Sequence, residues 1–250
     1  MYAIQTFDLT RYYGRTLAVD HLNLNIEKGV LFGFLGPNGA GKTTTIKMLS
    51  CILRPTEGSA RVAGNDIVED PLEVKKLIGY APEYPVLYER LTAREFLDMM
   101  ALLHGTPDGE REERVREMLE LFDLKGDADQ RLSGFSKGMK RKVNLAAAVI
   151  HRPQVIFLDE PTMGLDARGA RLVKDIMVEL CRRGSTVFMS THVMEIAEKI
   201  CERIAIINEG MVVAEGTMEE LRSRVHEKTL EEIFLAVTGG PEVKELARYL

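Results

Sequence analysis

The pattern of apolar and polar residues changes twice along this chain of 250 residues. From Ala3 to Glu27 the two kinds of residue alternate, which predicts antiparallel strands with one face in water. From about residue 89 the apolar spacing becomes that of helices, and after residue 153 short apolar runs alternate with helical segments. The last pattern predicts a mostly parallel sheet that is covered by helices on both faces.

Three helices are predicted in the middle of the chain. Thr92 can cap the first, the second covers 111–124, and the third covers about 137–150. No long linker or internal repeat separates these helices from the strands on either side. We therefore interpret residues 89–152 as a helical subdomain inserted into an α/β domain.

A glycine-rich loop joins the apolar run of residues 30–35 to a helical segment. Its sequence, GPNGAGKTT, fits the pattern G-x-x-x-x-G-K-[ST] of a phosphate-binding loop. Glycines let backbone N–H groups face a phosphate, and the helix that follows adds its positive end. The alternative is a glycine-rich turn with a chance lysine. The nucleotide-binding residues predicted here are Gly36, Pro37, Asn38, Gly39, Ala40, Gly41, Lys42, Thr43 and Thr44.

The chemistry predicted for this loop requires a second, acidic motif. Lys42 would reach the β- and γ-phosphates, and the Thr43 hydroxyl would coordinate Mg²⁺. In VIFLDE an apolar strand ends at Asp159, and ligands bind at this edge of open α/β sheets. We expect Asp159 to help hold the metal and Glu160 to act as general base toward water. The alternative is a solvated acidic turn after a core strand.

The composition narrows the possible functions. The net charge is -5, which disfavours nucleic-acid binding, because a phosphate backbone requires a basic face. Three scattered cysteines fit a reducing compartment. There is no signal-peptide pattern and no apolar run near 18 residues, so we do not expect the chain to cross a membrane by itself.

In their order along the chain, these motifs resemble the nucleotide-binding subunit of an ABC (ATP-binding cassette) transporter, over roughly residues 3 to 235. The glycine loop resembles the family's Walker A motif, and VIFLDEP resembles its Walker B motif. The resemblance implies an α/β P-loop NTPase of ABC type, with a mostly parallel central sheet, an N-terminal antiparallel β subdomain and the inserted helical subdomain. The ATP-binding domain would span 1–225, and 226–250 would form a C-terminal helical extension.

The resemblance also implies a function, which is Mg²⁺-dependent ATP hydrolysis that drives transport. The tail TLEEIFLAVTG is similar to that of drug- and polymer-export cassettes, which favours export. A non-transport ABC ATPase acting on DNA or ribosomes is the alternative. Long coiled-coil arms or a second cassette would favour it, and neither is present in this sequence. A P-loop kinase or GTPase is a third possibility, but the guanine-reading motif NKxD is absent.

A family signature, ideally LSGGQ, is matched by FSKGM at residues 135–139. Ser136, Gly138 and Met139 would contact the nucleotide of a second chain, with Ser136 also capping the helix that follows. The segment 132–134 reads LSG but lies three residues too early. Without the resemblance, Ser136 could be an ordinary helix cap.

Four further residues occupy family positions, three as matches and one, Glu83, as a departure. Asp166 in GLD matches the D-loop, and His192 matches the histidine that contacts the γ-phosphate. Tyr13 matches the aromatic residue that stacks on adenine, whereas Tyr12 could be a core residue or exchange roles with it. Glu83 stands where the family usually has a glutamine, and its carboxylate could approach the metal.

The resemblance implies two kinds of partner. A second cassette, identical or related, would complete each ATP site. An integral membrane permease would dock near residues 83–103 and hold the chain on the cytoplasmic, inner face of the cell membrane. No nucleic-acid partner is expected.

Overall fold

The computed structural model describes residues 1–239, which contain eleven strands in two sheets and nine α-helices. The strands are β1 (Tyr2–Tyr13), β2 (Thr16–Leu22), β3 (Asn25–Glu27), β4 (Leu31–Leu35), β5 (Glu57–Val62), β6 (Asn65–Asp66), β7 (Ile78–Ala81), β8 (Val155–Asp159), β9 (Thr186–Thr191), β10 (Arg203–Asn208) and β11 (Met211–Gly216). The helices are α1 (Lys42–Leu49), α2 (Pro71–Leu77), α3 (Ala93–Leu103), α4 (Asp108–Leu121), α5 (Lys137–Val149), α6 (Ala167–Arg182), α7 (Met194–Ile200), α8 (Met218–Val225) and α9 (Leu230–Thr238).

The first sheet is antiparallel and is built around β1. This long strand pairs with β2, β3 and β5, and β6 adds to β5. Strands β1 and β5 carry both buried and exposed residues, as expected for a sheet with one face in water, and register shifts in the pairing of β1 interrupt strict alternation. The predicted N-terminal antiparallel subdomain is confirmed, and β5 and β6 from beyond the glycine loop belong to it as well.

The second sheet has the strand order β11-β10-β4-β9-β8-β7, and all neighbours are parallel except β10 and β11. Every residue of β4, β8 and β9 is buried, because helices cover one face of these strands and α1 with the antiparallel sheet covers the other. The carboxyl ends of the parallel strands lie at one edge. This edge brings together the glycine loop after β4, the acidic residues at the end of β8 and the polar residues at the end of β9.

The three predicted helices of the middle segment are α3, α4 and α5. Thr92 caps α3 with a reciprocal capping box, as expected from the sequence. The second helix begins at Asp108 instead of 111, because acidic residues in its first turn suit a helix N-terminus and outweigh the glycine at 109. The apolar residues of α3, α4 and α5 belong to the same core as one face of the second sheet. Leu97 of α3 and Leu158 of β8, for example, are both part of it. The proposed subdomain of residues 89–152 therefore has no separate core.

The C-terminal part described here consists of α8 and α9, which begin at capping boxes of Thr217 and Thr229. Helix α9 packs against α7 and α8. It lies inside the extension predicted for residues 226–250, of which residues 240–250 lie outside the described residues. Within residues 1–239, none of the helices has the length and apolar character needed to span a bilayer.

Candidate nucleotide-binding site

The glycine loop is shaped by close contacts with two neighbouring strands. A Cβ on Gly36 would lie 2.3 Å from the carbonyl oxygen of Ile207, and one on Gly41 would lie 2.4 Å from that of Ala18. Gly41 also has φ of 106°, a backbone conformation that other residues rarely adopt. Gly39, in contrast, has no atom within 4 Å of its Cβ position, so the tip of the loop faces open space.

Lys42 begins α1, and its side chain is buried beneath the loop. The Nζ atom donates to the carbonyl oxygens of Gly36 at 2.6 Å and Pro37 at 3.1 Å. Burial lowers the pKa of Lys42, while the nearby carboxylates of Glu160 and Asp159 favour its charged form. The ammonium group of Lys42 thus lies inside the loop, where it donates to two carbonyl oxygens. A bound phosphate could replace these oxygens as its hydrogen-bond partner.

Asp159 ends β8 and is held from both sides by hydroxyl groups. The Thr43 Oγ1 atom donates to its Oδ2 atom at 2.8 Å, and the Ser190 Oγ atom donates to its Oδ1 atom at 2.5 Å. The carboxylate is almost fully buried. The two hydrogen bonds fix its orientation beside the first turn of α1.

Glu160 follows directly and has a left-handed backbone conformation, with φ of 49°. Its backbone N–H donates to the carbonyl oxygen of Ser190 at 3.2 Å. In the side chain, Oε2 accepts a hydrogen bond from Thr191 Oγ1 at 3.2 Å, and Oε1 lies 2.8 Å from His192 Nδ1. Ser190 therefore holds the backbone of Glu160, while Thr191 and His192 contact its carboxylate and the half-exposed His192 ring reaches the open side of the cleft.

A buried arginine contacts the backbone of both acidic residues. Arg141 of α5 donates to the carbonyl oxygens of Asp159 and Glu160 through Nη2, and to that of Pro82 through Nη1. The sequence analysis did not identify Arg141. No sequence signal marks it, because it lies off the apolar face that Met139, Val143 and Ala146 form on the predicted helix.

Most of the predicted residues line one cleft of about 560 Å³. Ala18, Tyr84 and Met163 also line it, and the sequence analysis missed all three. Ser190 and Thr191 were missed as partners of the acidic residues, although their place at the end of a predicted strand was a usable signal. The predicted residues in the cleft are Asn38, Gly39, Gly41, Lys42, Thr43, Thr44, Glu83, Asp159, Glu160 and His192.

The two candidate tyrosines lie at the end of β1, outside this cleft. Tyr13 is 47% exposed, with the Arg11 guanidinium 5.0 Å above its ring. Tyr12 is 36% exposed, so the alternative that it is a core residue is wrong. Both side chains are accessible because they flank the turn between β1 and β2 at the edge of the antiparallel sheet.

The signature residues and Asp166 also lie outside the cleft of their own chain. The Ser136 Oγ atom accepts from the Met139 N–H at 3.2 Å and caps α5. Asp166 caps α6 through Gly169. A Cβ on Gly138 would meet the Gly164 carbonyl oxygen at 3.6 Å, so the turns that carry Gly138 and Asp166 are adjacent.

The cleft fits Mg²⁺ bound together with a phosphate. Among residues 1–239 no three acidic, histidine or cysteine side chains form a metal cage. Mg²⁺ needs no such cage, since it commonly takes one or two carboxylates and fills its other positions with substrate phosphates and water. The hydroxyl of Thr43 and the carboxylate of Asp159 are adjacent and suit this role, and Glu83 lines the same cleft.

Comparisons with known proteins agree with this geometry. The family described as ABC transporter matches residues 19–163. The daunorubicin/doxorubicin resistance ATP-binding protein DrrA of Streptomyces peucetius is 42% identical over 228 residues, which cover 91% of this chain and 69% of the relative.

Two solved structures are similar over most of the chain. A structure described as the ATP-binding subunit of an ABC transporter has a TM-score of 0.89 and 30% identity, and the match covers 94% of this chain and 99% of that one. The dimeric post-hydrolysis state of the ATP-binding cassette MJ0796, bound to ADP and Pi, has a TM-score of 0.79 and 27% identity, with 86% and 98% covered.

Proposed function

The chain belongs to the ABC transporter family as an ATP-binding and ATP-hydrolysing subunit, and we propose that it powers export through a separate membrane permease. One observation supports ATP hydrolysis at this site: the glycine loop, Asp159, Glu160 and His192 meet in a single cleft. Export is supported by the Streptomyces relative, which is named for resistance to two drugs. The alternative function on DNA or ribosomes is not favoured.

In the proposed reaction, water attacks the γ-phosphorus of ATP in line with the leaving ADP. The loop N–H groups and Lys42 would hold the phosphates. Thr43 and Asp159 would hold Mg²⁺, which neutralises phosphate charge when bound. Glu160 would orient the water and accept its proton, and His192 would connect the Glu160 carboxylate with the γ-phosphate.

Adenine recognition is assigned to Tyr13 in this proposal. Its exposed ring ends the strand next to β2, and β2 carries Ala18 at the wall of the cleft. An exposed aromatic face beside the strand that lines the cleft could stack on a base without reading its hydrogen-bonding groups.

Two cassettes are expected to share each ATP. The accessible first turn of α5 offers the Ser136 hydroxyl, a helix N-terminus and the small Gly138, and none of them lines the cleft of its own chain. We propose that Ser136, Gly138, Met139 and the adjacent Asp166 face the nucleotide held by the partner chain.

The permease is expected to dock on residues 83–103, which would place the chain on the cytoplasmic face of the membrane. In this segment Tyr84, Val86 and Tyr88 expose 70, 88 and 65% of their surface. Exposed apolar side chains grouped in one short loop mark a protein interface better than scattered ones do.

This docking surface can be tested by co-purification from the solubilised membranes of the cells that make the protein. We expect a multispanning membrane protein to co-purify with the wild type and to be lost with Tyr84→Ser combined with Val86→Ser. Leu72→Ser is the matched control, since Leu72 is 71% exposed but lies on α2. Equal recovery with the double variant would place the interface elsewhere.

The proposed metal role of Glu83 predicts that Glu83→Gln raises the Mg²⁺ concentration for half-maximal ATP hydrolysis, by about 3- to 10-fold. The physical reason is the loss of one negative charge near the cation. Glu89→Gln is the control, because Glu89 belongs to the same segment but pairs with Lys140 at 2.5 Å. If the Mg²⁺ titration of Glu83→Gln matches that of the wild type, Glu83 acts only in docking.

A further inference from the structure

We infer that Arg141 is a positioning residue for ATP hydrolysis, which holds the backbone of Glu160 and ties it to the helix that begins at the signature. The inference rests on the proposed role of Glu160 as general base. It adds a residue that no sequence motif identified, and it explains why a cation is buried under the acidic edge of the sheet.

The first observation is the set of groups that Arg141 contacts. Its side chain is buried, and its guanidinium donates to three backbone carbonyl oxygens. Two of these belong to Asp159 and Glu160, and the third belongs to Pro82, just before Glu83. A planar guanidinium can donate from several N–H groups in fixed directions, which a lysine cannot do. Arg141 therefore links the backbone just after β7 to the backbone at the end of β8.

The second observation is the backbone of Glu160. A left-handed conformation is unfavourable for a non-glycine residue, so the surroundings must hold it. The Glu160 N–H donates to the Ser190 carbonyl oxygen, and the Glu160 carbonyl oxygen accepts from Arg141 and from the Met163 N–H. Without Arg141, this oxygen would keep only the Met163 N–H of its own turn, and its link to α5 would be lost. The direction of the Glu160 side chain would then become less defined.

The third observation is the place of Arg141 in α5. This helix starts at its Ser136 cap, and Arg141 lies little more than one turn further along. Asn144, one turn beyond it, also donates to the Pro82 carbonyl oxygen, at 3.3 Å. A movement of α5 relative to the sheet would therefore pull on the peptide of Glu160. In this way, closure of a partner chain on the signature can change the position of the Glu160 carboxylate.

Charge alone is a rival explanation for the same arginine. The carboxylates of Glu83, Asp159 and Glu160 surround Arg141 and favour its charged form, whereas burial lowers its pKa. If Arg141 only balances these negative charges, a lysine at the same position would serve. If the directed hydrogen bonds matter, a lysine would not replace them.

The test is steady-state ATP hydrolysis by the purified full chain with Mg²⁺, with kcat and KM determined separately. Arg141→Gln should lower kcat by about 10²-fold and leave KM for ATP within about twofold, because the base is misplaced while the phosphate loop is intact. Arg141→Lys, which folds more readily because it keeps the charge, should still lose more than about tenfold in kcat. Wild-type kcat in Arg141→Lys would leave charge balance as the explanation and overturn the inference.

Arg114→Gln is the matched control. Arg114 is a largely buried arginine that donates to the carbonyl oxygens of Ile150 and Val149 at the opposite end of α5. Its loss should lower the melting temperature much as the loss of Arg141 does, with kcat unchanged. A similar fall of kcat in Arg114→Gln would show that any weakening of the helical segment slows hydrolysis.

A double variant separates positioning from general damage. Glu160→Gln removes the base, so adding Arg141→Gln should lower the residual rate little further. If the two losses multiply, Arg141 does not act through Glu160 and the inference is wrong. If Glu160→Gln alone turns over ATP at the wild-type rate, the proposed base is wrong, whatever Arg141 does.

Discussion

Glu160→Gln is expected to lower kcat for ATP hydrolysis by about 10²- to 10⁴-fold without preventing ATP binding, since a general base contributes this much. Glutamine keeps the shape of the side chain and its contacts with Thr191 and His192 but cannot accept a proton. Phosphate release measures turnover, and binding of a fluorescent ATP analogue measures affinity. Glu179→Gln on α6 is the control, and it should behave like the wild type. Normal turnover in Glu160→Gln would remove Glu160 as the base.

The same variant should accumulate as an ATP-bound dimer, because ATP that is not hydrolysed continues to bridge the two chains. Adding Gly138→Asp should abolish this dimer by placing a carboxylate against the γ-phosphate of the partner site. Within one chain a Cβ has room at this position, since the nearest atoms lie 3.6 Å from it. Gly138→Ala is thus the control for the added Cβ and should preserve the dimer.

Light scattering at several protein concentrations is the measurement for both variants. A dimer that persists equally with Gly138→Asp would mean that Gly138 does not face a phosphate of the partner chain. The assignment of FSKGM as the signature would then be wrong, although the ATP site within one chain would be unaffected.

The second large effect is expected for Lys42→Ala, which should reduce ATP hydrolysis by about 10²- to 10³-fold, the loss typical for a preorganised group that stabilises charge in the transition state. Lys42 is the cation that lies inside the phosphate loop, with its Nζ atom on the carbonyls of Gly36 and Pro37. Activity is measured at saturating Mg²⁺ over a range of ATP concentrations.

A change of fold must be excluded for this variant, because Lys42 is buried and supports the loop. Circular dichroism and the melting temperature provide that check. Lys47→Ala removes a positive charge from the last turn of the same helix and should leave activity unchanged. Full activity of Lys42→Ala would contradict the assignment of the phosphate site.

Much of the fold could be predicted because buried parallel strands have continuous apolar sequences. The apolar residues 155–158 predict a buried strand that ends at Asp159, and β8 has these bounds. The caps of α3 and α5 were predicted from Thr92 and Ser136, since a cap is a local interaction. The predicted start of α4, residue 111, lies three residues after the observed start at Asp108, because Gly109 and the surrounding charged residues do not show a helical pattern.

The candidate site was predictable where its residues lie within a motif or at the end of a strand. Ala18 carries no such signal, because its place at the cleft depends on how the antiparallel sheet packs beside the glycine loop. Ser190 and Thr191 end a predicted strand, but only the placement of β9 next to β8 shows that they contact the acidic residues. Arg141 lies off the apolar stripe of its helix, and only the packing of α5 against the sheet shows that it is buried.

The strand order has a consequence for the synthesis of the protein on the ribosome. Strands β4 and β8 do not pair with each other, and β9 lies between them and hydrogen-bonds to both. A nascent chain that stops before Thr186 therefore contains the glycine loop and both acidic residues but cannot hold them at the right distance. The hydrogen bond from Thr43 to Asp159, which joins residues 116 apart, has to wait for a strand made later than either. Such non-local pairing folds slowly, so ATP can help to stabilise the chain only after most of it has left the ribosome.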